Sequence, residues 1–558
     1  MNLIMKNKII VLFSVIFISL SSCSDFLDIN QDPNVPTKPE IEKLLPGIIR
    51  EVGDIFSLRF SGINNVTAVY VHHLTTRESI DAYQVKAGDY AIRTSWDATY
   101  VESLADIEVL MSLAEADGDG DGFKDYAAYA GIAKIFKAYV YSQLVDLWGD
   151  IPFSEAISDI NSPNFNPVFD DDEQIYAALF SLLEEGIADL QDDTSNNFLL
   201  PADDDIIYGG SINKWIRFAN TVRLKLYNQV RGTALWNESV VTSLLTNKGD
   251  SLMAEGGDFW MPYGSSNAPD NRHPGFVSDY EGSQISMYCS PWFYEILNGE
   301  NARIFNGITD PRIPYYFYNQ LSGDDSEAPP EYRNGDFMSI YFGSQGINRD
   351  HSARKSATQV GIYPVGGRFD DGRGGSGTPD NATGDAPHRF LSYSDCLFIQ
   401  AELAHNGVAG DPKALLEEAI TKSFEQVDKV VAMTSTTQEV PVLKGSDELS
   451  DYVGFVMSEY DSGDNNKKLE IIMTQKWISM FGGNETDCYT DYRRTGYPVL
   501  FDANNDVASG GPDGSGVVPT RVDRDYPLSM PYADTELDTN DNAPAQKNIT
   551  TDGIFWDN

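Results

Sequence analysis

From Ile132 onward, apolar side chains recur at Ile135, Phe136, Tyr139, Val140, Leu144 and Leu147, with Ala130, Ala133 and Ala138 among them. Spacing of three or four residues puts an apolar stripe on one helix, and the alanines let a neighbouring helix approach closely. Gly149-Asp150-Ile151-Pro152 stops it, since proline cannot continue the hydrogen-bond ladder. A stretch from about Trp96 to Ala114 has the same character and predicts the other half of an antiparallel hairpin. Further helices are predicted from about Asp171 to Asp189 and from Ser211, as N-cap, through Trp215, Phe218, Val222 and Leu226. Later ones run from Ser394-Asp395 to a stop at Asn406-Gly407, from Asp411-Pro412 to about Glu425, and from Leu469 to Phe481. Helix pairs joined by short turns predict a mainly α fold, a scaffold of tetratricopeptide-like pairs. No strict repeat of about 34 residues accompanies it, so the expectation rests on pattern.

Two regions break the helical period, Gly256 to Pro291 and Ser322 to Arg389, where Gly, Asp, Asn, Pro and aromatics concentrate. Long irregular loops held by a folded scaffold commonly carry function. The predicted organisation is therefore a helical scaffold at about 41–250 and 391–485, a loop-rich ligand-binding part at about 251–390, and a tail at 500–558 that wraps the surface.

The first residues address location. Lys6 and Lys8 precede an apolar run from Ile9 to Leu20, short for a bilayer span but suited to the core of a signal peptide. The run closes in Leu20-Ser21-Ser22-Cys23, which resembles a bacterial lipobox. Cleavage would remove residues 1–22 and leave Cys23 to take diacylglycerol and a fatty acyl chain such as palmitate. Residues 23–40 then read as a polar, turn-rich tether. With no later stretch apolar enough to span, the expectation is a protein anchored by lipid alone.

Charge narrows the partners. Lys and Arg number 40 against 84 Asp and Glu, a formal charge of -44, which excludes nucleic acid because phosphate contacts need cations. Cys289, Cys396 and Cys488 are scattered without zinc or redox spacing, and buried free thiols are expected, with at most one disulfide. The six histidines show no metal spacing either. Gly372 to Gly377 formally fits G-x-G-x-x-G, but no strand leads in and no helix follows, so it reads as a loop. Asp117, Asp119, Asp121 and Gly122 match positions one, three, five and six of a calcium loop, with Asp125 at position nine. Ala128 stands where an EF-hand needs a bidentate Glu, which leaves a variant calcium loop or a polar turn favoured by the following helix dipole. No other cofactor is implied.

Several segments, in order, resemble one family. Cys23 to Asn34 (CSDFLDINQDPN), residues 131–156 (GIAKIFKAYVYSQLVDLWGDIPFSEA), 310–317 (DPRIPYYF), 391–407 and 475–500 (QKWISMFGGNETDCYTDYRRTGYPVL) are similar to SusD/RagB nutrient-binding outer-membrane lipoproteins. The resemblance implies a helical fold, an oligosaccharide ligand, no catalysis, and a SusC-like TonB-dependent transporter over which the lipoprotein sits as a lid. Cys488 and Tyr492 depart from the Trp-bearing family pattern, and Thr520 to Tyr532 only partly keeps the Arg-rich C-terminal one. Both stretches read as fold determinants more than ligand contacts.

A sugar offers an apolar CH face that stacks on rings and hydroxyls that seek Asn, Asp, Gln and Arg. Two segments combine these: Trp260, Tyr263, Asn271, Arg272 and Tyr288 to Trp292, and His72, His73, Arg77, Glu78 and Tyr83. Trp96, Trp148, Trp215 and Trp477 fall in helical period and read as core. A loop aromatic can equally be a packing plug, and for Trp292, followed by Phe293 and Ile296, the plug is the stronger reading. The alternatives are a secreted lipid-anchored glycoside hydrolase, a peptide-binding protein, and an adhesive surface protein. No catalytic residue is singled out, because G-x-S-x-G is absent and an abundance of acids identifies no pair.

Overall fold

Glycine decides where the first long helices meet. In the computed structural model, which describes residues 40–157, 162–323, 332–343, 355–500 and 525–557, the helices Ala127–Trp148 and Asp172–Leu190 cross at Gly131 and Gly186. A Cβ on Gly131 would lie 2.7 Å from the Gly186 carbonyl oxygen, so no larger residue fits that approach. The predicted signal peptide, Cys23 and the tether up to residue 39 lie outside the described residues.

In chain order the principal helices are α1 Ile41–Phe56, α2 Ile63–Tyr70, α3 Tyr90–Ala98, α4 Leu104–Ala114, α5 Ala127–Trp148, α6 Asp172–Leu190, α7 Ile212–Gln229 and α8 Glu238–Thr246. After the loop-rich middle come α9 Pro291–Leu297, α10 Tyr393–His405, α11 Pro412–Met433, α12 Asp447–Ser462, α13 Asn465–Met480, α14 Glu485–Thr495 and α15 Asp534–Thr539. A π-helical turn, Thr99–Ser103, joins α3 to α4. The pairs α4–α5, α5–α6 and α10–α11 pack side by side, as the helix-pair pattern predicts. Helix α5 is buried on nearly every side, so its apolar stripe is only the most visible part of a central rod. Helix α11 runs beyond the predicted Glu425 because Val427 and Val430 carry its buried face onward. Strands are short and paired two by two; β1 Leu74–Thr75, β2 Phe259–Met261, β3 Tyr288–Cys289 and β4 His388–Leu391 matter most here.

The tail runs at the surface over residues 541–553, none of them buried, and packs inward on either side. Met530, Tyr532, Ile554 and Trp556 are buried, Met530 N–H donates to Leu147 O at 2.7 Å, and Trp148 Nε1 donates to Pro531 O at 2.9 Å. These contacts close the core over the end of α5. The three cysteines Cys289, Cys396 and Cys488 are buried and free, as expected. Among the described residues no helix is long and apolar enough to cross a membrane.

The segment Asp310 to Phe317 ties the loop-rich middle to the second helical block. Arg312, fully buried, pairs with Asp310 at 2.6 Å, donates to Ser423 Oγ of α11 at 2.8 Å and lies 4.4 Å from the Phe424 ring. Removing one member of a buried pair strands the other charge at a cost of about 3–5 kcal/mol. Asp310→Ala should therefore lower the unfolding free energy by about that amount, read from urea denaturation; a loss under about 1 kcal/mol would contradict this role.

Candidate functional site

Pairing of β1 with β3 sets Leu74 against Cys289 and Thr75 against Tyr288, and so brings the two predicted segments together. The loop after β1 faces the turn before β3, and Arg77 Nη2 reaches across to Gln284 Oε1 at 2.6 Å. Between them lies an open groove with two lobes. One, of about 330 Å³, is polar, bounded by Arg77, Glu78, Ser278, Gln284 and Ser286. The other, of about 240 Å³, carries Val66, Gln84, Lys86, Asp89 and Tyr90. Phe60, Thr76 and Glu78 border both. Phe60 is 44% exposed and Tyr90 69% exposed, so the groove shows water two rings flanked by amide, hydroxyl and charged groups.

The backbone around the groove is strained. Ser61, His72 and Tyr83 hold φ of 60°, 59° and 55°, left-handed values that cost a non-glycine residue of order 1 kcal/mol each. A buried set of rings supports the loop from below. His72 Nε2 and the Tyr83 hydroxyl lie 2.8 Å apart, and His72 stacks on Phe342 at 3.7 Å. Burial pushes the His72 pKa down to about 3, so the ring stays neutral.

Most predicted ligand residues are held by contacts inside the protein and do not line the groove. His73 is fully buried, with Nδ1 2.6 Å from Glu485 Oε2 and Nε2 3.0 Å from Trp477 O. Tyr83, Tyr288 and Trp292 are buried, and Trp292 Nε1 donates to Val499 O at 3.2 Å, the plug reading. Trp260, 5% exposed, donates to Ser392 Oγ at 2.9 Å and lies under Lys429 Nζ at 4.1 Å. Tyr263 gives its hydroxyl to Asp54 at 2.7 Å. Asn271 closes its own loop by accepting Ser266 N–H at 2.9 Å, and Arg272 is clasped by Asp270 and Glu281 at 2.8 and 2.6 Å. Trp260 is a packing plug because β2 is paired to β4 inside the molecule, and Trp292 is one because α9 is buried along its whole length. Of the predicted residues Arg77 and Glu78 line the groove. Phe60 and Tyr90 were missed; the signal available was a ring in a short loop and a ring opening a helix, beside Arg59 and Asp89. Trp96, Trp148, Trp215 and Trp477 are core, as read.

The Asp117 to Asp125 loop lies elsewhere, ahead of α5. Carboxylate oxygens of Asp117, Asp119 and Asp125 lie within 4.8 Å of one another. Asp121 Oδ2 instead accepts from Asn196 Nδ2 at 2.7 Å, so the loop converges three of the four predicted acids. Asp125 Oδ1 is buried without a hydrogen-bond partner among the described residues. His73, Glu485 and Cys488 also converge, but burial raises the Cys488 thiol well above its usual pKa and both ring nitrogens of His73 already have partners.

Helix pairs form a scaffold whose connecting loops carry an open, ring-edged groove. The chain belongs to the SusD-like family described as starch-binding and associating with the outer membrane, whose model matches residues 33–527. Among solved structures it is similar to a SusD/RagB family protein from Bacteroides thetaiotaomicron, with 18% identity, 93% of this chain and 99% of that chain covered and a TM-score of 0.66. It is also similar to a SusD homolog from Bacteroides fragilis with the same identity, coverage and TM-score, and to a chitin-binding protein with 19% identity, coverage of 93% and 100%, and a TM-score of 0.65. No curated protein matches the chain.

Proposed function

We propose that the protein captures a neutral or weakly charged oligosaccharide in the groove beside Phe60 and hands it to a SusC-like TonB-dependent transporter, without catalysis. The observation that carries this reading is the pairing of exposed Phe60 and Tyr90 with polar neighbours in one open groove. Rings bind the CH face of a sugar, while Arg77, Glu78, Gln84 and Asp89 lie where hydroxyls would meet them. Cation and anion are balanced across the groove, which suits a neutral ligand. The family description and the chitin-binding likeness point to the same ligand class. Calorimetric titration of a glycan panel tests it: Phe60→Ala and Tyr90→Ala should each lose about 1 kcal/mol or more of affinity at unchanged melting temperature. Equal binding by both variants moves the ligand elsewhere. Release of reducing ends by the wild type would favour the hydrolase reading, and saturable binding of peptides with none of glycans the peptide one.

We also propose that Cys23 carries the lipid that holds the protein at the outer membrane, consistent with the family's association with that membrane. One acyl chain gives only marginal retention, so a multiply acylated cysteine is expected. Mass measurement of the mature N-terminus should find it, and Cys23→Ser should move the protein to the soluble fraction; a membrane-retained variant overturns the assignment.

The Asp117 to Asp125 loop is proposed as a variant calcium site on the strength of the buried, unpartnered Asp125 Oδ1 beside two other carboxylates. A ligand held only by the folded chain adds about 2.7 kcal/mol at about 100 times its Kd. Calcium should raise the melting temperature, chelator should lower it, and Asp119→Ala should abolish the response. A melting temperature indifferent to calcium assigns the loop to a polar turn.

A further inference from the structure

We propose that a second cavity, remote from the Phe60 groove, binds a saccharide bearing a free amine. It measures about 490 Å³ and lies where α3, the π-helical turn and α15 meet the segment Pro163 to Pro167. That volume falls within the range of small-ligand sites, about 300–1,000 Å³. Two properties of its walls select the ligand.

The first is a ring placed for contact with something outside the protein. Phe165 is 76% exposed, and Val101 across the opening is 74% exposed. Phe165 makes no ring contact with another aromatic among the described residues, unlike the paired rings Trp96 and Tyr100 at 5.1 Å deeper in the wall. At the mouth of a cavity this ring and Val101 together present an apolar edge that a ligand can cover, with a gain from each area removed from water.

The second is a wall of acceptors. Asp97 and Glu536 both line the cavity, and neither meets a cation among the described residues. Each already has its fixed partner: Thr535 Oγ1 donates to Asp97 Oδ1 at 3.0 Å, and Trp96 Nε1 and Asn540 Nδ2 donate to Glu536 at 3.4 and 2.7 Å. An ionised carboxylate accepts about four hydrogen bonds, so both keep capacity. The Thr539 hydroxyl is spent on Thr535 O at 2.7 Å. A ligand must therefore bring donors, and two uncompensated negative charges favour one that is cationic. An amino sugar supplies an ammonium and hydroxyls on an apolar CH face. The choice of a saccharide over another amine rests on the glycan-binding reading above.

The test is calorimetric titration of the folded, soluble chain with a glucosamine tetramer, and with its N-acetylated form, which lacks the ammonium. The glucosamine tetramer should bind, more weakly as salt rises, and the acetylated one should not bind at this cavity. Phe165→Ala, an exposed position that should fold normally, should weaken glucosamine binding about tenfold. Asp97→Asn with Glu536→Gln should do the same, while Phe165→Ala leaves neutral-glycan titration at the Phe60 groove unchanged. No glucosamine binding by the wild type, or binding indifferent to Phe165→Ala, overturns the proposal while leaving the groove reading intact. Binding of a lysine-bearing peptide at Phe165 with glucosamine silent overturns it in favour of a polypeptide ligand.

Discussion

Buried charge on one short helix fixes how the two halves of the scaffold meet. Helix α14 puts Glu485, Asp487, Asp491 and Arg494 inside the protein, and every one finds its partner on a different element. Glu485 meets His73 beyond α2, Asp487 meets Lys225 of α7 at 2.6 Å, Asp491 meets Lys476 of α13 at 2.6 Å, and Arg494 grips Glu402 of α10 with Nη2 to Oε2 at 2.7 Å. Burial alone would raise the Glu402 pKa, but Arg494 and Arg231 overcome it and hold the carboxyl well below its usual range. An unpaired ion at this depth costs several kcal/mol. Moving any of these elements away from α14 would leave a buried charge without its partner, so the network ties their positions together. Since a depressed pKa favours the folded state above the unfolded pKa, the Glu402 contribution is lost as pH falls through the acid range.

The groove follows from that arrangement. With α2 locked to α14, the chain leaving α2 must turn sharply at His72 and enter β1, and β3 then docks alongside. The loops on either side of this two-stranded pair have no core of their own, so they rest on the scaffold through buried rings: His72 on Phe342, Tyr83 on Tyr526 at 5.1 Å, Tyr70 beneath both. Aromatics are spent on packing first. Two rings at the groove stay outside that packing, Phe60 in the turn between α1 and α2 and Tyr90 at the start of α3, and there they face water.

Sequence by itself determined the helical class, the α4–α5 hairpin, the α6, α7, α10 and α13 segments, the core tryptophans and the free buried thiols, because apolar period and punctuation by Gly and Pro are local properties of the chain. It also marked Arg77 and Glu78. Helix α12 escaped that reading although Leu449, Tyr452, Val453 and Val456 keep helical spacing, and α14 offers little apolar period, since acids and threonines surround Cys488 and Tyr489 on its buried face. Only tertiary structure decided that Trp260 is a plug, whereas Phe293 and Ile296 already marked Trp292 as one. Trp260 has the same local surroundings as a stacking platform, and what buries it is a strand far away in the chain, β4 at His388 to Leu391. Likewise the polar composition of the tail does not show that Leu147 and Trp148 hold its backbone at Met530 and Pro531. Periodicity tells which residues seek an interior; which surface remains outside is settled by the long-range pairings of charge and backbone that close it.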